Sequence, residues 1–364
     1  MMLGIPGNQS FVQSGRETSD SNTLSISVII PVRNEAGSIQ RTLGQLVSQD
    51  YGPGQFEILA IDGESTDGTP AIVQEFASRY PTVRLLNNPK RLSSAARNLG
   101  VRAARGQFVL IVDGHCELDG HNLLKNVADA FQRSGADCLG RPQPLEVSGA
   151  TTLQRAIAAA RSSWLGHHPA SHIYSSREGF VPAGSVAVAY RRSVFDRVGY
   201  FDERFDACED VELNHRIDRA GLRCFFTTAI AVRYRPRDTL TGLFRQMVRY
   251  GRGRIRLLRK HGDTLSLKTL APAGFLLACC LGVVLACCFP SLAVFVFGVA
   301  AAYVAVLLAA SVAIAVKRRD PAIFPWLPPV FSAVHTGAGV GLLWEAIFPR
   351  GANCGVDCPR GGAA

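Results

Sequence analysis

Two regimes of hydrophobic patterning divide this chain. From residue 25 to about 112, short apolar runs rich in Ile and Val alternate with longer stretches of helical spacing. "SISVII", "FEILAID", "TVRLLNN" and "GQFVLIVDGH" read as strands, being brief, β-branched and bounded by Gly, Pro or Asn. Between them, residues 36–49, residues 71–79 and "SSAARNLGVRAARG" read as helices, the last with Ser93 or Ser94 as its N-cap. Strand and helix in alternation predict a mainly parallel, doubly wound α/β sheet. The unbroken run Phe108 to Val112 predicts a strand buried on both faces.

After about residue 140 the pattern changes. "VPAGSVAVAYRRSVFDRVGYFDERF" predicts strands and turns, and "ACEDVELNHRIDRAG" a helix whose first-turn acids suit the helix dipole. "CFFTTAIAVRYRP" predicts one more strand, and "TLTGLFRQMVRYGRGRIRLLRKHG" an amphipathic helix. From Leu270 the chain becomes strongly apolar. "LAPAGFLLACCLGVVLACCF" would be about 30 Å long as a helix, the thickness of a bilayer core. "SLAVFVFGVAAAYVAVLLAASVAIAV" predicts a second span, with the turn at Pro290. In "AIFPWLPPVFSAVHTGAGVGLLWEAIF" the prolines, glycines and His335 predict a re-entrant or interfacial course instead of a straight span. Two uncharged runs of spanning length with basic flanks argue against buried core helices. The organisation is then a disordered polar tail over 1–24 with no signal-peptide core, an α/β domain over 25–262, a membrane region of two to three apolar helices over 263–349, and a tail over 350–364.

Charge sharpens this picture. The formal net charge is +10, and ten of the 39 Lys and Arg residues fall between Arg233 and Lys260, directly before the apolar region. Basic residues there and at Lys317 to Arg319 predict a multi-pass inner-membrane protein with its α/β domain in the cytoplasm. No nucleic-acid motif is present, and no aromatic residues interleave regularly with the arginines, so nucleic acid is not an expected partner. The ten cysteines are scattered and include no C-x-x-C pair, so a zinc site is not expected. Cys354 and Cys358 would pair only in an oxidising compartment; free thiols are the default.

Candidate chemistry lies at the strand ends. Arg33-Asn34-Glu35, Asp62 and Asp113 would share the sheet edge beyond which open α/β folds bind ligands. Asp113 and His115, two residues apart, bring a carboxylate and an imidazole to one point, half of a divalent-metal site. An ordinary Asp-Gly turn is the other reading. His167, His168 and His172 share a loop, but their spacing predicts no metal site. His335, in an apolar segment, is expected as a hydrogen-bonded histidine or a contact to a lipid phosphate.

The ordered set "IIPVRNE", "AIDGESTDGT", "ARNLGVRAARG", "DGH", "CEDVELNHRI" and "RQMVRY" resembles family 2 glycosyltransferases of the GT-A fold, over about residues 25–260. "DGH", the membrane region and "HTGAGVGLLW" look most like the succinoglycan-type β-glucosyltransferases of bacterial exopolysaccharide synthesis. The resemblance implies a GT-A doubly wound mixed sheet followed by transmembrane helices. It implies an inverting hexosyltransferase, a UDP-sugar donor with glucose as the hexose, a lipid-linked saccharide acceptor and polysaccharide-assembly proteins as partners. It implies a divalent cofactor, Mn2+ or Mg2+, on Asp113 and His115, with His at the third place of the usual Asp-x-Asp. Glu35 and Asp62 would hold the uridine, Pro31 would fix the turn, and Asp67 and Arg97 would belong to the nucleotide side. A solvated helix face is the other reading of Arg97. Asp210 would be the catalytic base, with Glu209 capping its helix or supporting an arginine. Gln246, Arg249 and Tyr250 match a Gln-x-x-Arg-Trp motif facing the diphosphate or the acceptor, with Tyr in the Trp place; Arg249 also reads as a basic residue facing lipid headgroups. Transfer to polyprenyl phosphate, and a non-enzymatic nucleotide-sugar-binding subunit, are the competing readings.

Overall fold

The first apolar run becomes β1 (Ile26–Val32), followed by α1 (Ile39–Val47), β2 (Phe56–Asp62), α2 (Thr69–Arg79), β3 (Val83–Asn87), α3 (Ser93–Ala103) and β4 (Phe108–Ile111). This is a computed structural model, and it describes residues 25–349 apart from 53, 146–147 and 168–171. The two tails, with Cys354 and Cys358, and His168 lie outside the described residues. β1 pairs in parallel with both β2 and β4, and β2 with β3. The alternation of β-strand side chains divides the core. Val28, Ile30, Ile58 and Ala60 meet Leu43 and Leu46 of α1 and Val73 of α2 on one face. Ile29, Leu59 and Ile61 meet Ala96 and Val101 of α3 on the other. Both faces are covered, which is why these strands are continuous apolar runs.

The second half continues with β5 (Cys116–Leu118), α4 (Leu123–Ser134), β6 (Cys138–Gly140), α5 (Thr152–Arg161), β7 (Gly179–Val181), β8 (Ala187–Arg191), α6 (Ser193–Val198), α7 (Glu209–Arg219), β9 (Cys224–Phe226) and β10 (Val232–Tyr234). The sheet runs β3-β2-β1-β4-β8-β6-β9-β7. β8 is antiparallel to β4 and β6, so the sheet is mixed beyond β4 and not mainly parallel throughout.

Three local expectations change. Leu92, not Ser93 or Ser94, holds the N-cap position of α3; Ser94 lies inside the helix and donates to the Phe205 carbonyl at 3.1 Å. The stretch read as strands and turns also contains the short helix α6. The single strand read in "CFFTTAIAVRYRP" is two: β9 stays in the main sheet, and β10 pairs with β5 in a separate ribbon. A 3-10 turn, Thr228–Ile230, separates them, with the Thr227 hydroxyl accepting from the Ala229 amide.

The described residues end in four long helices: α8 (Leu240–Lys260), α9 (Leu267–Cys288), α10 (Pro290–Arg318) and α11 (Leu327–Ile347). Three segments, Leu267–Cys288, Pro290–Arg318 and Pro321–Ile347, are long and apolar enough to cross a membrane. The third is an unbroken helix over Leu327–Ile347, despite its prolines and glycines. Pro328 and Pro329 stand in the first turn of α11, where a missing amide costs no helical bond, and Pro325 lies in the preceding 3-10 turn. The glycines of α11 serve packing. A Cβ on Gly341 would collide with the Val248 carbonyl oxygen, and one on Gly337 would lie 2.9 Å from that of Phe244. α8 and α11 therefore meet backbone to backbone.

That contact also redirects part of the basic run expected to face the membrane surface. Glu345, 1% exposed in α11, accepts from Arg252 Nε at 2.9 Å and from Arg256 Nε at 2.9 Å. Arg259 donates to the Glu345 carbonyl at 2.8 Å. A carboxylate buried in an apolar helix needs such partners.

Candidate active site

The loops after β1 and β2 lock together before they shape anything else. Asn34, at a positive φ of 55°, donates its amide to Ser65 Oγ and accepts from the Thr66 amide on Oδ1. Asp67 accepts from the Ala36 amide at 3.0 Å, the Thr69 amide at 3.0 Å and Thr69 Oγ1 at 2.6 Å. Burial would raise its pKa, but these hydrogen bonds outweigh it and hold the carboxyl below its ordinary value. Asp62 accepts from the Ser65 amide and hydroxyl at 3.0 and 2.5 Å. Asp62 and Asp67 thus brace the loops from behind.

The other candidates line one cavity of about 1850 Å³: Pro31, Glu35, Arg97, Asp113, His115, Glu209, Asp210, Gln246, Arg249 and Tyr250. At the end of β4, His115 Nδ1 donates to Glu35 Oε1 at 3.1 Å, and Glu35 Oε2 accepts from Ser38 Oγ at 3.0 Å. An imidazole whose Nδ1–H is held by a carboxylate keeps its lone pair on Nε2, the arrangement usual for a metal-ligating histidine. Asp113 and His115 both line the cavity, and a carboxylate oxygen and an imidazole Nε2 are donors suited to a divalent ion.

Arg97 of α3 is not on a solvated face. It is 9% exposed, with Nη1 3.1 Å from Glu209 Oε1, Nη2 3.8 Å from Asp113 Oδ1 and its guanidinium over the Phe201 ring. Burial disfavours its charge, but Glu209, Asp113 and Asp210 outweigh that, so its pKa lies above the ordinary value. Burial pushes the Glu209 carboxyl up, Asp210 adds to the rise, and Arg97 pulls it down.

Cys208, at a left-handed φ of 64°, turns the chain into α7. The next two acids then separate. Both line the cavity, but Glu209 pairs with Arg97, while Asp210 Oδ1 accepts from the Val211 amide at 2.8 Å. On α8, Gln246 Nε2 donates to Tyr250 Oη at 3.2 Å, and Arg249 Nη2 donates to the Asp206 carbonyl at 2.7 Å. A Cβ on Gly253 would lie 2.7 Å from the Ala207 carbonyl oxygen, so a bare backbone lets α8 approach the turn that leads into α7.

The cavity continues from Asp210 toward the apolar helices, past Lys268, Phe275, Tyr303 and His335. His335 is the hydrogen-bonded histidine expected, with Nδ1 3.0 Å from Tyr303 Oη and Nε2 3.0 Å from the Leu165 carbonyl oxygen. Of the loop histidines, His167 stands edge-on to Tyr174, and both His167 and His172 line the cavity.

Three residues at or near the site carry no signal in the sequence around them. Arg161 of α5 lies 5.9 Å from the Tyr250 ring centroid. Arg141 is fully buried and donates to the Ile111 carbonyl and to Tyr234 Oη, both at 3.2 Å. Tyr234, which lines the cavity, carries that contact.

The family model described as "Glycosyl transferase family 2" matches residues 27–199. The chain is 33% identical over 247 residues to the succinoglycan biosynthesis protein ExoA of Rhizobium meliloti, covering 67% of this chain and 73% of that one. The chain belongs to glycosyltransferase family 2. This family 2 glycosyltransferase is also 27% identical over 258 residues to a protein of Methanococcus voltae, covering 69% and 78% of the two chains. That relative is a dolichyl N-acetyl-alpha-D-glucosaminyl phosphate 3-beta-D-2,3-diacetamido-2,3-dideoxy-beta-D-glucuronosyltransferase. Its fold matches the mannosyltransferase PcManGT from Pyrobaculum calidifontis, solved with GDP-Man and Mn2+, at a TM-score of 0.56 and 21% identity over 88% of each chain. The glycosyltransferase thus has the GT-A fold.

Arg97 gives this glycosyltransferase a stability signature. Arg97→Met should leave Glu209 buried without its cation and lower stability by roughly 3–5 kcal/mol. Adding Glu209→Gln should return part of the loss. Thermal unfolding of the detergent-solubilised chain measures both, and equal melting temperatures for wild type and Arg97→Met would remove the pair from the fold's support.

Proposed function

We propose that this glycosyltransferase moves a hexose, glucose by preference, from a UDP-sugar to a lipid-linked saccharide at the cytoplasmic face of a bacterial inner membrane, with inversion, in exopolysaccharide or cell-envelope glycan synthesis. One observation carries the reading: a single cavity runs from Asp113 and His115, past Asp210, to residues of the apolar helices. A water-soluble donor and a lipid-borne acceptor would meet in such a space. The two relatives support the setting, one being a succinoglycan biosynthesis protein and the other acting on a dolichyl-linked sugar phosphate.

In this reading the β1 loop, braced by Asp62 and Asp67, receives the nucleotide. A divalent ion on Asp113 and His115 would neutralise charge on the diphosphate. Glu35 orients the His115 ring, and Arg249 and Arg161 add positive charge along the cavity. Asp210 takes the proton from the acceptor hydroxyl as that oxygen attacks the anomeric carbon. The departing nucleoside diphosphate needs no protein acid, so one base suffices and no protein nucleophile intervenes. A single displacement turns an α-linked donor into a β-linked product. Glu209 is engaged with Arg97, which leaves Asp210 as the member of the pair available to the acceptor.

Asp210→Asn should fold and bind UDP-sugar yet lose at least about 10²-fold in turnover, the scale of general-base catalysis. Near-normal turnover, or an α-linked product by NMR, would sink the assignment. A charged sugar-phosphate lipid as product would instead favour transfer to polyprenyl phosphate.

The metal is tested separately. Activity should vanish in EDTA and return with Mn2+ or Mg2+, and His115→Ala should raise the metal concentration required by roughly 10–100-fold. Full turnover in chelator would exclude the ion.

Orientation follows from basic flanks. Arg252 to Lys260 precede α9 and Lys317 to Arg319 close α10, so both ends belong in the cytoplasm and the turn at Pro290 on the opposite side. A topology reporter fused at Ser291 should read out the far face; a cytoplasmic signal there contradicts the hairpin.

A further inference from the structure

A second group of metal-donor side chains lies apart from Asp113 and His115, where α7 meets the junction between α8 and α9. One ligand atom each from His215, His261 and Asp263 lies within 4.8 Å of the others. His215 belongs to α7, His261 is the C-cap of α8, and Asp263 lies in the 3-10 turn Gly262–Thr264 that leads to α9. The two imidazole rings are 4.6 Å apart at their centroids.

The protonation pattern suits a cation. His215 Nε2 is sealed from solvent and makes no hydrogen bond, although Asp263 Oδ2 is only 3.2 Å away. A buried ring nitrogen that makes no hydrogen bond calls for a partner, and a cation shared with Asp263 would supply one. His261 Nε2 lies 3.0 Å from Glu212 Oε1, and Glu212 is fully buried and ion-paired to Arg216 at 2.8 Å and Lys260 at 2.7 Å. A carboxylate accepting from Nε2–H leaves the His261 lone pair on Nδ1, the outer-shell arrangement that orients metal-binding histidines. Lys260 is itself held by Asp202 at 2.6 Å, so its charge is compensated locally. Arg219, 3.8 Å from Asp263, is largely exposed and free to turn into solvent.

Two imidazoles, one carboxylate and one open position match the borderline-soft, tetrahedral preference of zinc. We infer that His215, His261 and Asp263 form a zinc site that staples α7 to the α8–α9 junction. No cysteine takes part, and His261 and Asp263, two residues apart, are joined by His215 from a different helix, so no spacing motif covers all three. The staple joins the helix whose first turn carries Glu209 and Asp210 to the point where the chain enters its apolar region. It requires no nucleotide and is independent of the proposed transfer reaction.

The test uses the full chain in detergent, carrying His115→Ala to disable the other donor pair, stripped of metal and then titrated with Zn2+. One zinc per chain should survive desalting, and zinc should raise the melting temperature by mass action. His215→Gln and Asp263→Asn should each weaken binding by at least about 10-fold and abolish the thermal shift. Asp263 is half-exposed, so Asp263→Asn carries the test if His215→Gln fails to fold. Absence of retained zinc, or equal retention in the parent protein and Asp263→Asn, overturns the site.

Discussion

Arg97 is the charge around which the cavity is arranged. Its guanidinium sits between Asp113 at the end of β4 and Glu209 at the start of α7, with Asp210 close by. Those carboxylates come from distant parts of the chain and would repel one another in a poorly solvated space. A buried cation between them lets the sheet edge and α7 close on one cavity. It also sorts two adjacent acids: Glu209 is ion-paired with the guanidinium, and Asp210 is held at Oδ1 by the Val211 amide.

The sorting gives the site a division of labour between rigid and available groups. Asp62, Asp67 and Glu209 are tied up in bonds that hold loops and helices. Asp113, His115 and Asp210 also line the cavity, with His115 anchored at Nδ1 and Asp210 at Oδ1. Anchoring one atom of a reactive group while leaving another free is how a protein preorganises chemistry without blocking it.

Much of the first half of the fold was legible because its strands are buried on both faces, so Val28 to Ile30 and Phe108 to Ile111 appear as uninterrupted apolar runs. Long-range partners were not legible. The basic run of α8 looked like a membrane-facing stripe because Glu345 lies about ninety residues away. The bonds by which Asp62 and Asp67 hold Ser65 and Thr69 gave no signal, because these partners are ordinary turn residues in sequence. Leu124, Val127, Ala128 and Phe131 of α4 do carry the helical period, a signal that attention to strand ends passes over. The prolines of α11 suggested interruption only because a helix start cannot be told from a helix break without the neighbouring turn.

The glycine contact between α8 and α11 has a mechanical meaning. Side chains that interdigitate can re-sort as helices slide, but two backbones in contact have nothing to re-sort. α8 and α11 must therefore tilt as a single lever, with one arm beside the cavity and the other among the apolar helices. Any reorientation of α11 would therefore carry along α8, and with it Gln246, Arg249 and Tyr250 at the cavity.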